Sequence, residues 1–312
     1  MRRAKNGVII IGTDLGYGNA KSSGSITRSS VDVYENKPIF TDNVLIYNGK
    51  YYCFGEGHKT FIEDKSTDDD FYMLNMIAMA KELYLSRIYN ANVHIATGLP
   101  LTWVRGQRES FRKYLLRNRE LTFWYENKEF CIRLVGCSIY PQGYPAIIDQ
   151  AGKLTGVNML ADIGNGTLNI MYIKDRQPVE SLCWTEKLGV NQCVIRINKA
   201  VMDRFYRVLP DGIAEDFLRN GRASINKAYC DIFRKEAEKY VSDIFSVLAG
   251  HEYDPNTMRL FIVGGGGCIV EKFGTYDKRN VTIINNINAA AQGFEYLAEK
   301  QLNSKEKGDG RT

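Results

Sequence analysis

Two short segments of this chain repeat one arrangement of groups suited to phosphate chemistry. Asp14-Leu15-Gly16-Tyr17-Gly18 follows the apolar run Val8-Ile9-Ile10-Ile11, and Asp162-Ile163-Gly164-Asn165-Gly166 follows Met159-Leu160-Ala161. Glycines let backbone N–H groups approach phosphate oxygens with no Cβ in the way. A carboxylate beside such a turn can hold Mg²⁺ through the ion's waters. Lys21, just past the first turn, can neutralise phosphate charge. One Asp-x-Gly-x-Gly is explained by an ordinary tight turn. Two copies about 150 residues apart, close to half the chain, carry more weight. A third element, Gly264-Gly265-Gly266-Gly267 after Leu260-Phe261-Ile262-Val263, would let the backbone approach a nucleoside. By itself that run would be a flexible turn or a helix start.

Other phosphate chemistries fit worse. No G-x-x-x-x-G-K-[ST] occurs, and Gly16 and Gly18 lack the third glycine of a dinucleotide fingerprint. There is no kinase-type H-R-D set and no G-x-S-x-G elbow.

The elements that must position these groups are legible in outline. Residues 7–14 read as a buried strand, and so do 158–163 and 260–263. Each Asp-x-Gly-x-Gly is followed by a returning strand, the second at 168–173. The apolar runs around Asn48-Gly49 read as a hairpin, and 120–137 as strands turning at Asn127. Met73, Met76, Ile77, Ala80, Leu83 and Tyr84 recur at helical spacing, a stripe that reads as core. Residues 94–98 read as a strand ending in Gly98-Leu99-Pro100, and 103–118 as a helix. In Tyr140-Pro141-Gln142-Gly143-Tyr144-Pro145 the two prolines argue against a sheet centre, with a helical stretch expected to follow. Amphipathic helices are expected after Gly189 and over 229–248, and a last one near 288–301. Residues 303–312 read as a disordered tail.

Composition sets limits. With 44% hydrophobic and 25% charged residues the chain reads as an ordinary globular protein. Its net charge of +5 is too small to imply nucleic-acid binding by itself. The basic cluster Arg105–Arg119 reads first as a solvated helix face. No apolar run is long enough to span a bilayer, so a cytoplasmic protein with no membrane partner is expected. The seven cysteines are odd in number with no CxxC pair, which reads as reduced buried thiols. His58, His94 and His251 are far apart, giving a His/Cys metal site little support.

In this order the motifs resemble the actin/Hsp70/sugar-kinase ATPase superfamily. The match runs through Asp14 to Lys21, the connecting segment Tyr140 to Gly143, the second turn Asp162 to Thr167, the segment Ile262 to Gly267, and Asn286 to Gly293 as a second connecting helix. Within it the chain looks most like the ParM-type plasmid-segregation actins, through Gly98-Leu99-Pro100, the Pro-Gln-Gly segment and Leu188-Gly189-Val190-Asn191. The resemblance implies an α/β fold of two similar actin-like (ribonuclease H-like) lobes with a nucleotide cleft between them. Expected boundaries are 1–155 for the first lobe, with helix 288–301 packing back on it, and 156–287 for the second.

The same resemblance implies an ATPase that polymerises, hydrolyses ATP after assembly and moves plasmid DNA through a centromere-binding adaptor. ATP, with GTP as the alternative, and Mg²⁺ are the implied cofactors. Asp14 and Asp162 would hold the metal, and Gln142 with Asp162 would serve hydrolysis. Gly16, Tyr17, Gly18, Asn19, Lys21, Gly164, Asn165, Gly166, Thr167, Gly189, Lys227 and Gly264 to Gly267 would line the nucleotide. Two departures stand out: Gln142 where the ParM-type proteins carry a glutamate, and Asn169 where they carry an acidic residue. A glutamine is no general base, so its role would be positioning. A sugar or acid kinase of the same superfamily is the alternative, with Asp162 as its base. A scaffold that only binds ATP is a third reading.

Overall fold

The computed structural model describes residues 1–39, 42–55, 62 and 64–309. In chain order the elements are β1 (Arg2–Arg3), β2 (Ile9–Leu15), β3 (Asn19–Ser22), β4 (Ile26–Arg28), β5 (Val31–Tyr34), β6 (Val44–Tyr47), β7 (Lys50–Phe54), α1 (Asp69–Leu85), β8 (Asn90–Leu99), α2 (Leu101–Leu115), β9 (Glu120–Tyr125) and β10 (Lys128–Pro141). There follow β11 (Val157–Ile163), β12 (Leu168–Lys174), β13 (Gln177–Glu186), α3 (Val190–Phe205), α4 (Ile213–Asn220), α5 (Lys227–Gly250), β14 (Arg259–Val263), α6 (Gly267–Phe273), β15 (Val281–Ile283) and α7 (Ala289–Asp309). The chain divides into two compact units, Met1–Asp149 with the segment from Asn288 on, and Gln150–Ile287.

The sheet of the first unit runs β4-β3-β2-β8-β10-β9-β6-β7-β5. Strands β2, β8 and β10 are parallel at its centre. Ile9 to Ile11 of β2 and Val93 to Ala96 of β8 are apolar or nearly so because both faces are buried, whereas the first half of β10 alternates buried and exposed residues. Ile9, Ile11, Val93 and Ile95 join the core built with α1 and α2, whereas Ile10 and Ala96 join Phe294 and Ala298 of α7 on the other face. Asp68 caps α1, its Oδ1 accepting the Asp70 N–H at 3.0 Å. The stripe from Met73 to Leu83 does lie in the core, but its last member, Tyr84, is exposed, and α1 is buried on nearly every side from Phe71 to Leu83.

The sheet of the second unit runs β13-β12-β11-β14-β15, with β11, β14 and β15 parallel. Its order and strand directions reproduce β4-β3-β2-β8-β10 of the first unit: an antiparallel three-strand ribbon, then two strands parallel to its edge. Met159, Ala161, Ile163, Leu260 and Ile262 form one core with α3, α4, α5 and α6. The repeated turns therefore occupy the same corner of two equivalent sheets.

Several expectations need correction. β10 runs through Tyr140 to Pro141, pairing with β8 at Gly98 and Leu99 despite the proline. Its other neighbour, β9, stops opposite Arg133, so the missing N–H breaks no bond there. β13 and α4 fall where no regular element was expected. The last helix does not stop at 301 but continues to Asp309, through residues expected to form a disordered tail. Lys, Glu and Gln are good helix formers, and extending a packed helix avoids the cost of nucleating one.

Helix α7 lies hard against the sheet and the connecting turn. A Cβ at Gly293 would stand 1.9 Å from the carbonyl oxygen of Pro145. Gly293→Ala should therefore lower the unfolding free energy by about 2 kcal/mol or more. Gly106→Ala, with open space around it, should be neutral or stabilising by about 0.5 kcal/mol. Urea denaturation midpoints compare the two.

Candidate functional site

Strand β2 pairs with β8 only as far as Thr13. Beyond it the chain continues as a hairpin with β3, in the register Asp14↔Lys21 and Leu15↔Ala20. Directly opposed residues of an antiparallel pair share a face. Accordingly Lys21 Nζ meets Asp14 Oδ2 at 3.1 Å. The other oxygen, Oδ1, accepts from Gln142 Nε2 at 3.3 Å. Gln142 leaves the end of β10, where its N–H donates to the Leu99 carbonyl at 2.8 Å. Gly98 makes room for it, since a Cβ there would lie 3.0 Å from Gln142 Cγ. The structure thus brings together Asp14, Lys21 and Gln142 from three strands.

The turn itself is closed by the Gly16 N–H on the Asn19 carbonyl at 3.1 Å. Ser29 braces it from outside, its N–H donating to Gly18 at 3.1 Å and its hydroxyl to Gly16 at 2.7 Å. Tyr17 turns its ring edge-on to Phe71 and donates its hydroxyl to the Ile62 carbonyl at 2.7 Å. Burial raises its phenol pKa.

Sequence reasoning missed Lys65, which sits inside a run of aspartates. It is buried, and Nζ donates to the Leu15 carbonyl at 2.6 Å. Burial pulls its pKa down to about 8, with Asp14 opposing the shift. Nothing in a polar stretch of this kind signals which lysine will turn inward. His58 and Glu63 lie outside the described residues.

In the second unit Asp162, one residue before the end of β11, lies opposite Asn169 of β12, the register that holds Asp14 opposite Lys21 in the first. Asn169 Oδ1 accepts from the Thr185 hydroxyl at 2.9 Å. The Gly164 N–H closes its turn on the Thr167 carbonyl at 2.9 Å. The first N–H groups of α3 clamp this turn from behind: Val190 donates to Gly164 at 3.0 Å and Asn191 to Asn165 at 2.9 Å. A Cβ at Gly189 would stand 2.3 Å from the Asn165 carbonyl oxygen, so the approach needs glycine. The glycine run closes in from β14. Gly266 donates to the Ile163 carbonyl at 3.0 Å. Gly264, at φ +84°, would set a Cβ 2.6 Å from Asp162 Oδ1.

Asp162, Gly164 to Thr167, Gly189 and Gly264 to Gly267 therefore form one cluster. Lys227 opens α5 and is exposed. It follows in sequence a surface cavity of about 800 Å³ lined by Asp216, Asn220, Arg222 and Ser224 among others. Among the described residues no three His, Cys, Asp or Glu side chains gather as a metal-ligand set. None of the described helices is long and apolar enough to cross a membrane.

The duplicated sheet order, with an aspartate before a glycine turn at the same corner of each unit, defines an actin-like fold. Residues 12–144 match the family model described as actin like proteins N terminal domain. Among solved structures, an archaeal actin homolog in complex with ADP is similar over 94% of this chain and 100% of its own, at 21% identity and TM-score 0.70. Bacillus thuringiensis ParM with AMPPNP is similar over 95% of this chain and 99% of its own, at 16% identity and TM-score 0.67. The Alp12 filament structure is similar over 94% of this chain and 98% of its own, at 18% identity and TM-score 0.66. No curated protein matches the chain by sequence. The chain thus has the fold of these actin-like structures, and over residues 12–144 it is similar to the actin-like N-terminal domain.

Lys65 generates a pH signature. Between about pH 8 and its unfolded value of 10.5 the unfolded chain keeps a proton that the native amine has lost. Native stability then rises with pH across that window, by on the order of 3 kcal/mol in total. Lys65→Met should flatten this rise in denaturation midpoints measured from pH 7 to 10.

Proposed function

We propose that this chain binds ATP with Mg²⁺ through the glycine turns of its two units, hydrolyses it and assembles with its own copies into filaments. One observation supports the nucleotide reading above the others. A strand-end carboxylate, Asp14, is held between an ammonium and a side-chain amide, and its counterpart Asp162 stands at the same place in the second sheet.

The chemistry of these residues fits. A carboxylate accepts hydrogen bonds only, so Gln142 must present its NH₂ to Asp14. Its Oε1 is left to accept from a water and hold it in line for attack. The amide takes no proton itself, so its contribution is orientation. Lys21 offsets phosphate charge. Asp14 and Asp162 would hold Mg²⁺ through its waters. When bound, the ion neutralises phosphate charge. The close approaches at Gly264 and Gly266 to the end of β11 need residues without a Cβ.

The filament reading draws on the likeness to the Alp12 filament structure. The likeness to ParM extends it to cytoplasmic plasmid segregation through a centromere-binding adaptor, with DNA contacted indirectly.

Light scattering of the full chain with ATP and Mg²⁺ should rise above a critical protein concentration. No rise across a range of salt, with ATP still bound, would refute the polymer, and transfer of phosphate to a sugar panel would favour the kinase. Asp162→Ala should slow phosphate release by about a hundredfold; wild-type turnover in that variant would remove the role given to Asp162.

A further inference from the structure

Lys65 is not among the residues assigned to the nucleotide, yet it is bound to the first phosphate turn. Its Nζ stands 5.2 Å from the ring centre of Tyr17 and 5.3 Å from that of Phe71 while donating to the Leu15 carbonyl. Tyr17 returns the contact by donating to Ile62. Two hydrogen bonds running in opposite directions thus tie the turn to the segment before α1.

A methionine would fill this space without the cost of burying an ammonium. What the amine adds is a donor and a charge. The Leu15 carbonyl lies past the last β2–β8 pair, where none of the described strands pairs with that edge. Among the described residues Asp14, on β2, is the charged group that acts on Lys65, and Asp14 is already shared with Lys21 and Gln142. On the segment of Lys65 itself, Asp64 and Asp68 turn their carboxylates to the N–H groups of Ser66 and Asp70. Tyr17, from the turn, is held neutral by burial. The amine is therefore a cation with little local compensation, fixed beside the place assigned to a polyphosphate.

We propose that Lys65 is a positioning residue for phosphate binding: it holds the Leu15–Gly16 peptide of the turn in place and keeps a buried positive charge beside it, without touching the ligand. This inference rests on the nucleotide reading above. An anion arriving at the turn favours the protonated amine, so binding at mildly alkaline pH takes up a proton.

The test is calorimetric titration of the full chain with ATP and Mg²⁺ at pH 8.5 in two buffers of different ionisation enthalpy, with Kd measured from pH 7 to 9.5. At pH 8.5 the phosphates of the nucleotide are themselves fully ionised. The wild type should take up a fraction of a proton, and its affinity should weaken as pH rises through about 8 to 9. Lys65→Met should bind about tenfold more weakly at pH 7, with no proton uptake and a flat profile. Binding by the wild type without proton uptake overturns the proposal, and that measurement stands even if the variant does not fold. Unchanged affinity and uptake in Lys65→Met also overturn it. A wild type that binds no ATP at any pH is a different result: it removes the nucleotide reading itself.

Discussion

The carboxylate of Asp14 is fixed from two sides, by the ammonium of Lys21 and the amide of Gln142. That constraint needs three strands in one order and one register. β3 must return so that residue 21 faces residue 14. β8 must lie between β2 and β10, and at Gly98 it leaves room for the Phe294 ring and for Gln142, where a Cβ would stand 2.3 and 3.0 Å from them. Helix α7 then closes the far face, its Glu295 Oε1 accepting the Gly12 N–H two residues before the aspartate, at 2.9 Å. Each of these is a condition on backbone placement, met by apolar burial on both faces of the central strands.

The two units share the sheet and the corner but brace the turn differently. The first uses side chains: Ser29 and Lys65 donate to its carbonyls, and its own Tyr17 donates to Ile62. The second uses backbone: N–H groups of α3 and of the glycine run hold it. The helix start at Gly189 is therefore engaged with the turn. The charge on the paired strand also differs, a lysine at 21 against an asparagine at 169. An internal repeat of topology has kept geometry while the chemistry of its two copies has diverged.

Much of this was legible because particular residues have local causes. Asn48 and Gly49 both take positive φ, as a two-residue hairpin demands. The strand β13 was not legible because the equivalent turn is Asp175-Arg176, at φ 46° and 69°, with no glycine to mark it. Helix α4 spans only eight residues, too few for periodicity to stand out. The proline of the connecting segment misled, since its effect depends on which side of β10 carries a partner. The paired Asp-x-Gly-x-Gly turns were visible as a repeat. The inward turn of Lys65 depends on long-range packing against Tyr17 and Phe71, which no local pattern records.

The docking of α7 on β2 has a consequence for the order in which the chain matures. The second unit is one continuous stretch, Gln150–Ile287, and has its whole core once that stretch has left the ribosome. The first unit begins earlier in synthesis but ends later. Ile10 and Ala96 are covered only when Phe294 and Ala298 arrive, about 280 residues after Ile10 and about 200 after Ala96. Contacts so distant in sequence form slowly. During elongation the corner that carries Asp14 thus exists with one apolar face open, and it is sealed by a helix made after everything else in its own unit.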